Sequence, residues 1–146
     1  MSDAGDAVRS RRSVLCGLAV ALAAPGVVAA CGEPTRTARK GGVGGAQPGT
    51  KVAAVADLPV GGGRLVDVPN GGRLLLVRPA EAEVRAFDPT CPHLGALVSE
   101  PARGVAVCPT HGSEFDASSG EVRRGPAVRG LTAVPVAVRD GQVVLA

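Results

Sequence analysis

Every histidine of the chain, and two of its four cysteines, fall in two short matching segments. The first is Cys91-Pro92-His93; after fourteen intervening residues comes the second, Cys108-Pro109-Thr110-His111. Each segment supplies one thiol and one imidazole, so two such loops facing each other present two Cys and two His. Three chemistries use that set. A structural zinc ion takes four N/S ligands, but its knuckles usually pair like with like, and Cys-x-His is a tight spacing for two ligands on one ion. A disulfide between Cys91 and Cys108 would staple a small exported domain. A binuclear centre relieves the spacing problem, because one metal takes both thiolates and the other both imidazoles.

The likeness to a known family extends past these four residues. Cys91-Pro92-His93-Leu94-Gly95 and Cys108-Pro109-Thr110-His111-Gly112-Ser113 resemble the two cluster-binding boxes of Rieske proteins. In that family two His replace two Cys on one iron of a [2Fe–2S] cluster. Phe115-Asp116 and Gly120 continue the second box, and Gly125-Pro126-Ala127 resembles the Pro loop that covers the cluster. The resemblance implies one Rieske [2Fe–2S] cluster with Cys91, His93, Cys108 and His111 as metal ligands. It places Leu94, Gly95, Gly112, Ser113, Phe115 and Pro126 around it. High-potential members carry an extra Cys in each box, joined as a disulfide; Ala96 and Thr110 stand there in this chain. Those members also use a Ser and a Tyr hydroxyl as donors to cluster and ligand sulfurs. Ser113 matches the first, and Phe115 replaces the second. Donors to sulfur stabilise the extra negative charge of the reduced state. One kept and one lost implies an intermediate potential within the Rieske range of about −150 to +300 mV.

The elements that must hold these loops read as strands. From residue 51 onward, short Val- and Leu-rich runs alternate with Gly, Pro, Asp and Asn, and no stretch sustains a helical apolar stripe. Strands are expected near 52–55, 64–68, 73–78, 83–87, 105–108, 131–138 and 142–145. Arg139-Asp140-Gly141-Gln142 is a two-residue hairpin of type I′ preference, and Pro135 marks an edge or a bulge. The expected fold is all-β: six to nine short strands. The family resemblance implies two antiparallel sheets with a small cluster-binding subdomain. With two Phe and no Trp or Tyr, the core is modest, and a metal cross-link between loops would add folding energy.

The remaining charge sits ahead of this domain. Residues 51–146 are neutral overall, so the formal net charge of +3 comes from residues 1–50. Residues 1–30 have the build of an export signal: a basic start, an apolar stretch broken by Pro25-Gly26, and small residues before Cys31. Ser10-Arg11-Arg12-Ser13-Val14-Leu15 resembles a twin-arginine signal, with Arg11 and Arg12 as the pair. Val28-Ala29-Ala30-Cys31 resembles a lipobox, with Cys31 as the acylated residue. Residues 31–50 are Gly-rich without apolar periodicity and read as a flexible linker to a domain over residues 51–146. The expected location is the outer face of a bacterial cytoplasmic membrane, held by a lipid anchor or a signal anchor.

Some functions are excluded. Without Trp or Tyr there is no stacking platform for single-stranded nucleic acid, and a charge of +3 is too small an electrostatic footprint for a nucleic-acid partner. An oxygenase component would need further ligands for a mononuclear iron, and both His are already used. One-electron transfer by a membrane-tethered Rieske protein is the leading expectation, with a redox protein or a membrane electron-transfer complex as partner. The alternatives are a Rieske subunit of a larger oxidoreductase, either quinol-cytochrome c reductase or a molybdenum oxidase, and a structural zinc module.

Overall fold

The computed structural model describes residues 41–146. Arg11, Arg12, Cys31 and the first ten residues of the expected linker lie outside the described residues. Ten strands form three antiparallel sheets. They are β1 (Lys51–Ala54), β2 (Gly62–Val68), β3 (Gly72–Ala80), β4 (Glu83–Phe87), β5 (Val105–Val107), β6 (Glu114–Asp116), β7 (Val122–Arg124), β8 (Ala133–Val134), β9 (Val136–Arg139) and β10 (Gln142–Leu145). A single 3₁₀ turn, Val55–Asp57, is the one helical element among the described residues. The fold is all-β, as expected.

A four-stranded sheet, β2-β3-β4-β8, lies between two hydrophobic cores. Strand β3 shows why. Leu74, Leu75, Leu76 and Val77 are all buried, and successive side chains of a strand point to opposite faces. Leu74 and Leu76 join Val68, Ala86, Val143 and Leu145 in the core shared with the three-stranded sheet β1-β10-β9. Leu75 and Val77 join Phe87, Cys91, Val98, Cys108 and Phe115 in the other. An unbroken apolar run is what a strand covered on both faces requires. The second core is roofed by the sheet β5-β6-β7, which is inserted between β4 and β8 and carries the two Cys-Pro loops.

Pro135 separates β8, paired with β4, from β9, paired with β10. The proline therefore falls where the chain leaves one sheet for the other, at a point where no ladder needs its missing N–H. Asp140 and Gly141 have φ of 49° and 71°, the left-handed pair a type I′ hairpin needs.

Two strands lie beyond the sequence expectation. β6 and β7 each hold one apolar residue in three, too little for an apolar pattern, and they form by pairing, β6 on the edge of β5 and β7 on the edge of β6. The linker reading also needs correction over residues 41–50, which pack on the body. The Arg73 N–H donates to Gly42 O (2.8 Å), Gly49 N–H to Leu145 O (2.8 Å) and Leu145 N–H to Thr50 O (3.0 Å). Val43 and Ala46 lie against the core of Leu74 and Val143. Glycine here serves close backbone approach, which composition alone cannot tell from flexibility.

Candidate metal centre

The two Cys-Pro loops are built alike. In the first, Gly95 N–H donates to Cys91 O (2.9 Å) and Cys91 N–H to Ala96 O (2.7 Å). In the second, Gly112 N–H donates to Cys108 O (2.9 Å) and Cys108 N–H to Ser113 O (2.8 Å). Both loops turn on a glycine four residues after the cysteine, with φ of 82° at Gly95 and 73° at Gly112. The left-handed conformation costs any residue with a Cβ, which explains glycine in both boxes.

This folding brings all four predicted ligands together in two pairs. Cys91 and Cys108 are each 1% exposed and are unbonded thiols, so the disulfide reading does not hold. Burial pushes the Cys108 thiol up. It is outweighed by donors to the sulfur: the Thr110 N–H, the Cys91 thiol, the His111 N–H and the Thr110 hydroxyl. The net pKa lies below that of an ordinary thiol. Thr110 is thus a sulfur donor that the sequence reading passed over; a hydroxyl two residues after a ligand cysteine was the available signal. His93 and His111 form the other pair, with ring centroids 4.9 Å apart and planes at 83°. His111 is exposed, whereas His93 Nδ1 is buried with no hydrogen-bond partner.

The surrounding residues fall into three groups. Ser113 is fully buried, and its Oγ accepts the Ala127 N–H at 3.0 Å. That bond ties the second loop to the segment following Pro126, whose peptide bond with Gly125 is cis. One lone pair is used, and the hydroxyl hydrogen remains to donate. Phe115 is fully buried in the same core as both cysteines. Leu94, at 72%, and Val128, at 96%, are apolar side chains left in solvent on the first loop and just past Ala127. The arginines that flank the second box are largely neutralised within the β6–β7 hairpin. Arg123 is paired with Asp116, and Arg124 with Glu114 (2.7 Å).

The donor set fits an iron–sulfur cluster. A buried imidazole nitrogen without a partner carries a desolvation cost that a metal bond removes. The sulfur already receives the donors that a ligating thiolate needs. Two thiols and two imidazoles are the donor set of a binuclear iron–sulfur protein of the kind the two boxes resemble.

The comparisons with known proteins agree. The description "Rieske [2Fe-2S] domain" matches residues 49–135. The cytochrome b6-f complex iron-sulfur subunit of Prochlorococcus marinus (strain NATL1A) is 34% identical over 90 residues, 60% of this chain and 50% of that protein. The ubiquinol-cytochrome c reductase iron-sulfur subunit of Blastochloris viridis is 41% identical over 76 residues, 50% of this chain and 40% of that protein. The crystal structure of the cyanobacterial plasma membrane Rieske protein PetC3 from Synechocystis PCC 6803 superposes with a TM-score of 0.57 at 34% identity. It covers 66% of this chain and 97% of that one. The chain spans about half the length or less of the two subunits it matches. It belongs to the Rieske [2Fe–2S] domain family, and its cofactor is a Rieske [2Fe–2S] cluster.

Proposed function

We propose that this protein is a one-electron carrier tethered to the outer face of a bacterial cytoplasmic membrane. Cys91 and Cys108 would hold one iron of the cluster, and His93 and His111 the other. The observation that carries this reading is the polarity of the site: the thiols are 1% exposed, while the imidazole pair ends at an exposed His111. When bound, the cluster supplies a one-electron couple. The protein's own residues do the rest. The twin backbone bonds hold each loop, the Thr110 and His111 N–H groups face the Cys108 sulfur, and buried Ser113 pins the second loop to Ala127 with a hydroxyl hydrogen left to donate. The imidazole edge is the surface through which a partner exchanges the electron. Exposed Leu94 and Val128 give that partner apolar contact.

The partner is a redox protein or a membrane electron-transfer complex. Relatives named as subunits of cytochrome b6-f and ubiquinol-cytochrome c reductase support the second form and favour one competing reading, a permanent subunit of such a complex. Absence of the two disulfide cysteines, with Ala96 and Thr110 in their places, supports the carrier. Solubilising membranes in mild detergent and sizing the native species separates the two. A carrier runs as the free chain, and co-migration with a cytochrome overturns that reading.

Attachment rests on Cys31 as the acylated residue and on Arg11 and Arg12 as the export pair. At about 0.8 kcal/mol per buried methylene, more than one acyl chain is needed to hold a domain stably. Cys31→Ala is expected to move the protein from the membrane fraction to the soluble fraction. A mutant that remains as tightly bound as wild type refutes the lipid anchor.

A further inference from the structure

Four glycines lie where the start of the domain crosses its body. A methyl on Gly72 would collide with Gly42 O and come within 2.6 Å of the Val43 carbonyl carbon and 2.7 Å of Gly44 N. A methyl on Gly44 would lie 2.7 Å from Gly72 N. The two backbones therefore touch without side chains between them, and the Arg73 N–H to Gly42 O bond closes the contact. The other end of this segment reaches the base of the first cluster loop. A methyl on Gly41 would collide with the Thr90 hydroxyl and the Asp88 carboxylate, and one on Gly42 would lie 3.1 Å from Asp88 Oδ2.

Asp88 and Thr90 are the base of the first cluster loop. The Asp88 carboxylate accepts the Thr90 N–H (2.8 Å), the Asp88 N–H donates to Thr132 O (2.8 Å), and Thr90 pairs with Leu97 across the loop. Cys91 follows directly. The second loop is mounted differently, between strands β5 and β6 and tied to the segment after Pro126 through the Ala127 N–H to Ser113 Oγ bond.

We propose that residues 41–46 are a strap that positions the first cluster loop, Gly41 and Gly42 lying on the Asp88–Thr90 base while Val43 and Ala46 anchor it to the core. The strap acts through the base, not on the metal. It makes the entry of the chain into the domain part of the mounting of Cys91 and His93. This holds whichever partner takes the electron.

The twin hydrogen bonds of the two loops are matched reporters, and hydrogen exchange of the full-length, cluster-loaded protein reads them. Gly72 has no left-handed requirement, so Gly72→Ala acts on the strap by steric contact. The expected result is faster exchange of the Arg73 amide as the strap lifts. The Cys91 and Gly95 amides should then exchange about tenfold faster, with Cys108 and Gly112 unchanged. Iron release to a chelator should accelerate in the same variant. Gly45→Ala, in the strap but with its nearest neighbour at an ordinary 3.8 Å, should change nothing. Val43→Asp is a second way to lift the strap, by removing its apolar anchor. The proposal is overturned if Arg73 exchanges faster while Cys91 and Gly95 do not. Equal acceleration of both loops also overturns it, since that is general loosening. So does an Arg73 amide that stays protected in both variants.

Discussion

Replacing Ser113 by Ala removes one oxygen from a site with no solvent exposure, and two separate consequences follow. The Ser113 Oγ accepts the Ala127 N–H at 3.0 Å, and Ala127 is itself buried at 4% exposure. Water cannot replace the lost acceptor, so the buried N–H is left unpaired at a cost of about 1–3 kcal/mol. For a domain of this size that corresponds to a fall in Tm of about 5–15 °C. The second consequence is electronic. The Ser113 hydrogen would be left to donate to a cluster sulfur, and such a donor would favour the reduced state by about 1 kcal/mol. At 59 mV per tenfold change for one electron, the midpoint potential should fall by about 40 mV. Thermal unfolding and a redox titration of the same sample separate the two effects. Ser113→Thr, which keeps the hydroxyl, should recover most of the potential even where its extra methyl costs stability. A lower Tm with an unchanged potential would refute the donor role and leave Ser113 as the pin of the segment after Pro126. No change in either would refute the geometry itself.

Phe115→Tyr, placed in the same core as both cysteines, should raise the midpoint potential by about 40 mV through a new donor to sulfur, and an unchanged potential in a redox titration removes that argument. Removing iron with a chelator under reducing conditions should lower Tm by about 10 °C or more, because metal binding to two loops is folding energy in a domain with so small a core. Cys91 and Cys108 should become reactive towards a thiol reagent in the same sample; equal stability with and without iron contradicts this. Asp116 is held well below the usual carboxylate range by the Ser118 hydroxyl, then by the Ser119 N–H and the Arg123 guanidinium. Its pKa is lower folded than unfolded, so its contribution is full above about pH 4 and is lost as the pH falls further into acid. The stability gap between wild type and Asp116→Asn should therefore be widest above pH 4 and shrink below it in acid unfolding curves. A gap independent of pH sinks the assignment.

Much of the site was legible because its signal is local. A cysteine, a proline and a glycine four residues after the cysteine recur in both boxes, and each has a reason in the loop: a ligand, a rigid start and a left-handed turn. The run Leu74-Leu75-Leu76-Val77 likewise announces a strand buried on both faces. Other features had no local signal. Glu114-Phe115-Asp116 and Val122-Arg123-Arg124 carry too few apolar residues to declare themselves, and pairing makes them strands, the first on β5 and the second on β6. Residues 41–50 read as linker because glycine that permits motion and glycine that permits contact are the same residue.

The resemblance of the two boxes to the Rieske family implied the cofactor, while the sequence by itself determined the four candidate ligands, the all-β class and the main turns. Those depend on residue type, spacing and backbone preference, which act over a few positions. The tertiary structure decided which thiols are buried, which imidazole reaches solvent, that Ser113 meets Ala127, that Thr110 faces the Cys108 sulfur, and that Gly41 lies on Asp88. These are contacts between residues far apart in the chain, or orientations set by such contacts. Their energies exist only once two cores have closed around one sheet and brought the segments together.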